Sequence, residues 1–587
     1  MDDSSQKTLT IETALYASLF ALALVVRLLN LGAAPLSEYE ARIAMQAYQL
    51  AQGQLVSPLT QPAYVVVTGL LFAFFKDSNT VARLFPALAG SSLVLLPLFF
   101  SNVARLSLWT RRAGLLLALG LALDPALVAL SRLAGSPLIA MAGLLLAAGF
   151  AWRGRAGWTG LFTALALLSG PAWVQGLLGF ALAALVTLIL DRTKPEPAEP
   201  IPSLALLPAD LKQARFWRTA ALFAAGTLLL GGMLSLRLPQ GLAGLADSLP
   251  AYLRGWLEPS GVPALRLPAG LVFYQPMALL FGVLSALRLW RSGQPLSGEA
   301  RFLSLWALFA LAVAMLYPAR QVADAAWALV PLWALAVLEI SRYSLSRLDP
   351  SLRLPSLGMV ALVALFLGLI WYNLLRLDHL NAQPILYAAI VGGLGLMAVI
   401  VVILAALGWS WGVASLGLSW GLCLIAACYM LSAMWGMSQL RPGQPAELWS
   451  ISPGAGQVAE LSATLDEVSE RSTGLTRSLD IRVTFDSPAL QWALRHYLEA
   501  QFTSSLAVDE QPSVILSLPA QQDPALAASY RGQELVWSRL PAWSGVLPPK
   551  LLRWITYREA PTLPQTILLW VRADLFPGGA QTDAAVP

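Results

Sequence analysis

Two carboxylates and a guanidinium, Glu38, Glu40 and Arg42, stand within five positions of the stretch from Pro35 to Gly53. A carboxylate beside a membrane can take the proton of an acceptor hydroxyl, and a guanidinium can hold a phosphate leaving group. Ser37 followed three positions later by Glu40 reads as a capping box, which opens a helix running to Gly53. Glu38 and Arg42 then fall one turn apart on one face, while Glu40 points elsewhere, near Ala44 and Ala47. A purely structural reading stands beside this one. Glu40 would satisfy backbone donors, Glu38 would complement the helix dipole, and Glu38–Arg42 would be an exposed pair contributing about 0.3–0.5 kcal/mol.

Further polar residues sit where apolar neighbours dominate. Arg27 lies about a turn from the end of the first apolar run, Asp124 lies within the third run, and Arg132 stands where the third meets the fourth. Charges in spans are expensive and are functional candidates by default, with snorkelling or mutual pairing as the alternative. Asp124-Pro125 also reads as a kink. Arg320, Gln321 and Asp324 open another apolar run, and Arg320 and Asp324 are one turn apart and able to pair. Guanidiniums converging at one membrane face, Arg83 and Arg132 among them, suit the head group of a lipid-borne phosphate.

The elements that must position these residues are mostly membrane helices. Of 587 residues 57% are hydrophobic and 12% charged, against roughly 25% charged in soluble domains. Apolar runs predict about thirteen spans between Leu9 and Met437, with Gly170-Pro171 splitting the long run from Trp158 to Leu190. Pro62–Phe75 is too short to cross and reads as re-entrant or interfacial. With it left out, the basic clusters at 105–112, 153–155, 192–194, 212–215, 291–301 and 342–353 fall on one side, cytoplasmic by the positive-inside rule. The N-terminus is then cytoplasmic and the first apolar run a retained anchor. The loop 32–80, with its acidic helix, faces outward with everything after Met437.

Residues 438–587 have the composition of a soluble module of mixed α/β type. Helices are expected at Val458–Arg471, Pro488–Phe502 and Lys550–Tyr557, with strands at Asp480–Phe485, Ser513–Leu518, Glu534–Ser538 and Thr566–Val571. It contains no glycine-rich phosphate loop and no nucleophile elbow. Trp492, Arg495 and Tyr497 share helical spacing that suits packing. Cys423 and Cys428 lie in an apolar run, and His379 and His496 belong to no metal motif. Metal chemistry would therefore fall to carboxylates.

The order of these weak signals resembles a membrane glycosyltransferase of the GT-C superfamily. It is most similar to the family-39 type, the protein O-mannosyltransferases and the lipid A aminoarabinose transferase. Carrying it are Arg27-Leu-Leu-Asn-Leu-Gly32, Pro35 to Arg42, Gln61-Pro62-Ala-Tyr64, Val81-Ala-Arg83-Leu-Phe-Pro86 with Ala-Leu-Ala-Gly90, Ser131-Arg132, and Leu168-Ser-Gly170-Pro171. The resemblance implies a polytopic α-helical fold with an extracytoplasmic C-terminal α/β domain. It implies inverting transfer of a sugar from a polyprenyl-phosphate donor to a hydroxyl of a protein, lipid or glycan. Glu40 or Glu38 would be the general base, and Arg42, Arg83, Arg132, Asp124, Arg320, Gln321 and Asp324 would bind substrate. No cofactor is required, Mg²⁺ or Mn²⁺ is the metal alternative, and nucleic acid is not an expected partner. The alternative is a catalytically degenerate scaffold or lipid-phosphate binding protein of the same fold. The sequence departs from the family at four positions. Tyr39 replaces the Asp of its Asp-Glu pair, Gln61 the Lys of Lys-Pro-Pro, Ser136 the second-loop Asp, and Ser169 the Lys before Gly-Pro.

Overall fold

The computed structural model describes residues 3–54, 59–100, 110–192, 209–233, 240–291, 298–343, 349–379, 384–454, 456–507, 510–519 and 528–576. Arg105, Lys194 and Arg347, counted in the basic clusters above, lie outside these residues.

The first ten helices are α1 (Asp3–Leu28), α2 (Glu38–Ala51), α3 (Pro62–Phe74), α4 (Asn79–Ser92), α5 (Leu96–Phe100), α6 (Arg111–Leu123), α7 (Pro125–Ser131), α8 (Leu138–Trp152), α9 (Ala156–Leu167) and α10 (Ala172–Arg192). Local chemistry sets their ends. Ser37 and Glu40 form the reciprocal capping box that starts α2, and Ser78 accepts from the Val81 N–H to start α4. Asp124 caps α7 with Pro125 at its first position, so α6 and α7 meet at 54°. Gly170, at φ +80°, ends the α9 turn in a conformation that suits glycine, and Pro171 follows it.

Among the described residues eight helices are long and apolar enough to cross a membrane, or ten if each of two bent pairs is one span. Each of the thirteen expected runs contains a helix. The three outside this count, α8, α9 and Ala214–Thr227, have 15, 12 and 14 residues, short of the ~20 a crossing needs. The helix α3, with 13 residues, is shorter still than most of these. Helices Pro350–His379 and Pro384–Gly408 leave many of their large apolar side chains exposed and bury very few, the pattern of a lipid-facing surface.

The C-terminal residues form a five-stranded mixed sheet of β1 (Ile481–Val483), β2 (Ala500–Phe502), β3 (Val514–Ser517), β4 (Tyr530–Pro541) and β5 (Thr562–Arg572), in the order β2-β1-β3-β5-β4. Strands β1, β2 and β3 are parallel, and β5 runs antiparallel to β3 and β4. The expected helix over Pro488–Phe502 stops at Leu494, and Ala500–Phe502 joins the sheet edge instead. The core of this sheet does not close on itself. Leu461, Ile481, Leu490 and Trp492 pack in one apolar cluster with Ala41, Ala44, Tyr64 and Phe72 of α2 and α3. Trp492 carries the seam, with Phe72 and Tyr48 against its ring and the Arg495 guanidinium 4.0 Å from its centre.

Candidate functional site

Several of the charges singled out in the sequence serve the backbone. The break at Asp124 leaves the last carbonyls of α6 without helical partners, and the buried Arg27 guanidinium donates to Leu121 and Ala122 there, at 3.1 and 2.9 Å. Arg132 returns the service, donating to the carbonyls of Val26, Arg27, Leu29 and Asn30 past the end of α1. Asp124 accepts from the Leu127 N–H, the Trp333 indole at 2.9 Å and Gln275 at 3.5 Å. These three residues cross-brace broken or ending helices in an apolar interior.

Arg83 and Glu40 form a saturated pair. The guanidinium donates from Nε and Nη2 to the Glu40 carboxylate at 2.7 and 2.9 Å, and to the carbonyls of Leu31, Ala34 and Pro35. All five N–H groups are thereby used. Glu40 also accepts from the Ser37 N–H and hydroxyl and from the Ala134 N–H. Burial alone would raise its pKa, but Arg83 and the backbone donors outweigh burial and hold the carboxyl below its ordinary value. The Glu40 carboxylate is therefore occupied on both oxygens, and Arg83 holds it to the loop before α2.

Glu38 is committed elsewhere. Its carboxylate accepts from the Ser487 hydroxyl at 2.6 Å, the Ala489 N–H at 3.0 Å and the Trp537 indole at 3.1 Å. It thus caps the Pro488–Leu494 helix of the C-terminal module, and the expected Glu38–Arg42 pair does not form. Asp77 adds a second latch, accepting from Arg495 at 2.7 Å with His496 at 3.1 Å. Glu38→Gln keeps one acceptor oxygen and loses the charge. We expect it to weaken docking of the module by about 1–3 kcal/mol, seen as faster proteolysis after Met437 in the detergent-solubilised protein.

With these residues assigned, a different set converges beside Tyr39. The Tyr39 hydroxyl donates to the Gly135 carbonyl at 2.9 Å, and the Gln61 amide donates to the same carbonyl at 2.9 Å and to Tyr39 at 3.4 Å. Gly170 lies against Gln61, where a Cβ would stand 3.0 Å from the Gln61 Cγ. Three residues past Gly170, Trp173 and then Gln175 begin α10. Gln175 Oε1 accepts from the Tyr252 hydroxyl at 2.7 Å, and the Tyr252 ring stacks on Tyr317 at 4.5 Å. Tyr317 in turn donates to the Tyr252 carbonyl. The Asp324 charge acts on Tyr39, Tyr252 and Tyr317. Burial pushes the Tyr39 phenol up to about 12 against the Gln61 hydrogen bond, and the charges of Glu40 and Asp324 add to that rise. Tyr317 is likewise pushed up to about 12, by burial first and Asp324 second.

This ring contains polar atoms with no protein partner among the described residues. Gln61 Oε1, Trp173 Nε1 and Gln175 Nε2 are all buried and unbonded. Buried polar groups are nearly always satisfied, so unbonded atoms on Gln61 and Gln175, both members of this network, and on Trp173 close to Gln175 in the chain indicate hydrogen-bonding capacity held for something else. Asp324 Oδ2 accepts from the Gln321 N–H at 2.8 Å. Arg320 does not pair with Asp324; its Nε and Nη1 donate to the carbonyls of Met315 and Val262. Arg42, one turn beyond Tyr39 on α2, is exposed and has no partner among the described residues. Among the described residues no three His, Cys, Asp or Glu side chains converge.

No protein-family model matches this sequence, and no curated protein does. Solved structures do match. The ArnT of Cupriavidus metallidurans bound to undecaprenyl phosphate superposes with a TM-score of 0.53, at 14% identity, over 96% of this chain and 98% of that one. The chain has the ArnT fold. The apo ArnT gives 0.49 at 17% identity over 83% and 86%, and the apo oligosaccharyltransferase of Archaeoglobus fulgidus 0.44 at 13% over 83% and 64%. In this ArnT-like chain the departures noted in the sequence are neighbours in space. Tyr39 and Gln61 meet at Gly135, Ser136 follows that glycine, and Ser169 precedes the Gly170 that touches Gln61. Both serines turn to local backbone, Ser136 accepting from Leu138 and Ser169 donating to Leu165. Trp173, Gln175 and Tyr252 were missed by sequence reasoning. The signal was present for the first two, polar side chains just after Gly170-Pro171 in an otherwise apolar helix. Tyr252 could be found only from the fold.

Proposed function

We propose that this chain is a membrane glycosyltransferase that moves a sugar from a polyprenyl-phosphate carrier to an acceptor hydroxyl at the extracytoplasmic face. The observation that carries this reading is the pair of hydrogen-bonded groups Tyr39–Gln61 and Gln175–Tyr252, with the Asp324 charge acting on both tyrosines and buried polar atoms of Gln61, Trp173 and Gln175 unbonded among the described residues, in a chain of the ArnT fold. The solved ArnT holds undecaprenyl phosphate. Sugar hydroxyls would complete Gln61, Trp173 and Gln175, and the Tyr252–Tyr317 stack offers an aromatic wall. Asp324, in place of Glu40 and Glu38, would accept the proton of the incoming hydroxyl. The acceptor oxygen then bonds to the anomeric carbon as the bond to the carrier phosphate breaks on the opposite face, inverting that carbon. Arg42 and the unbonded Nη2 of Arg320 would receive the charge that develops on the phosphate.

The neutral residues at Tyr39, Gln61, Ser136 and Ser169 favour a second reading, capture of the lipid-linked sugar without turnover. Incubating the purified protein with a radiolabelled polyprenyl-phosphate hexose or pentose and an envelope extract separates the two. Transfer, or release of free polyprenyl phosphate, is expected under the first; saturable binding with no release supports the second.

The extracytoplasmic placement rests on the basic clusters and on the thirteen spans expected from the apolar runs. A cysteine introduced at Thr476 should react with an impermeant maleimide in intact cells, and so should ones at Gln54 and Ser78 on either side of α3. Protection of Thr476, or opposite accessibility of the other two, would reverse the assignment.

A further inference from the structure

A cavity of about 300 Å³, which shares no lining residue with the Tyr39–Gln61 and Gln175–Tyr252 network or Asp324, lies where the loop after α1 and the end of α7 meet the segment following helix Trp411–Trp435 and strand β4. Four guanidiniums line it, Arg83, Arg132, Arg441 and Arg539, against two carboxylates, Glu40 and Glu447. Both carboxylates are occupied. Arg83 holds Glu40, and Glu447 accepts from Arg441 at 2.9 Å and from the Tyr274 hydroxyl at 2.5 Å, with Arg558 at 4.0 Å. The remaining two cations face no acid. Arg132 is buried and donates only to carbonyls, which neutralise none of its charge, and Arg539 is exposed on β4 with no partner among the described residues.

The cavity wall is also fixed in place. The Gly456 and Gln457 N–H groups donate to the Trp537 and Val536 carbonyls at the β4 bulge, which ties Gly456 and Gln457 to the strand bearing Arg539. Gln439 donates to the Leu29 carbonyl and joins the far wall to the end of α1. Leu31, Leu133, Met437 and Ile451 supply an apolar lining beside the charges. A net positive recess with an apolar side, braced by both halves of the protein, suits an anion attached to something greasy.

We infer that this cavity binds a phosphate monoester, read by Arg539 and Arg132, at a site separate from the proposed sugar-transfer centre. The same chemistry is offered by the head group of an anionic lipid and by free phosphate. Arg539 is the residue to change, because its side chain has no bonding partner among the described residues, whereas Arg132 caps α1.

The test is equilibrium binding to the full-length protein in non-ionic detergent, with dihexanoyl phosphatidic acid and inorganic phosphate as probes and dihexanoyl phosphatidylcholine as the zwitterionic control. Saturable binding of phosphatidic acid is expected, with Arg539→Gln raising Kd about tenfold through loss of a charge-assisted hydrogen bond and Arg539→Lys falling between. Competition by inorganic phosphate would assign the ligand as phosphate itself, and lack of competition would assign it as a lipid head group. Arg320→Gln and Asp324→Asn should leave this binding unchanged, so failure of the transfer reading does not touch it. No saturable binding of either probe, or less than a twofold effect of Arg539→Gln, would overturn the site.

Discussion

Arg83→Gln is expected to destabilise the protein by about 3–5 kcal/mol, the cost of leaving one member of a buried ion pair alone. The guanidinium binds the Glu40 carboxylate through two N–H groups and three carbonyls of the 31–35 loop through the rest. Glutamine reaches at most two of these acceptors. Glu40 would then remain buried beside α2 with only its Ser37 and Ala134 donors. The measurement is thermal unfolding of the detergent-solubilised protein, with Glu40→Gln and the double variant completing a cycle. The double variant should be less damaged than the two single effects added together. Because Glu40 titrates below its ordinary value in the fold, its contribution is present at neutral pH and is lost only as pH falls through that lowered value. A stable Arg83→Gln protein that has lost lipid-phosphate affinity would instead return Arg83 to a binding role.

Asp324→Asn is expected to cost about 10²–10⁴ in turnover with the fold intact. The change is isosteric, and Asn can still accept from the Gln321 N–H, the contact that Asp324 makes with the backbone. What it removes is the proton acceptor of the ring. Glu40→Gln, measured in parallel, should reduce activity only as far as it reduces the amount of folded protein. A structural role for Asp324 would lower both activity and melting temperature, whereas a general base lowers kcat alone.

The membrane half of the fold was legible because lipid demands long apolar helices, and the ends of those helices carry local signatures. Ser37-to-Glu40, Asp124-Pro125 and Gly170-Pro171 each did in space what their chemistry predicts in sequence. The three short helices were harder, since apolar runs do not reveal where a helix stops. The site was legible only by halves. The stretch from Pro35 to Arg42 was singled out for its carboxylates, yet the residue that reaches the centre is the tyrosine between them. Glu38 and Glu40 flank Tyr39 and point to the C-terminal module and to Arg83. One sequence carries both patterns, because a capping box and a catalytic acid pair use the same residue types. Arg320, Gln321 and Asp324 were marked as a unit, but their link to Tyr39 spans nearly three hundred residues and exists only in the fold. A still longer separation, 449 residues to Ser487, hid Glu38 as the cap of a helix starting at Pro488.

The account stands most directly on whether Asp324 turns over a lipid-linked sugar. Release of polyprenyl phosphate from a labelled polyprenyl-phosphate sugar should be followed for the wild-type protein and Asp324→Asn at equal folded concentration. The account predicts steady release by the wild type and a loss of at least about a hundredfold in the variant, with donor affinity little changed. Equal release by the two proteins would contradict it.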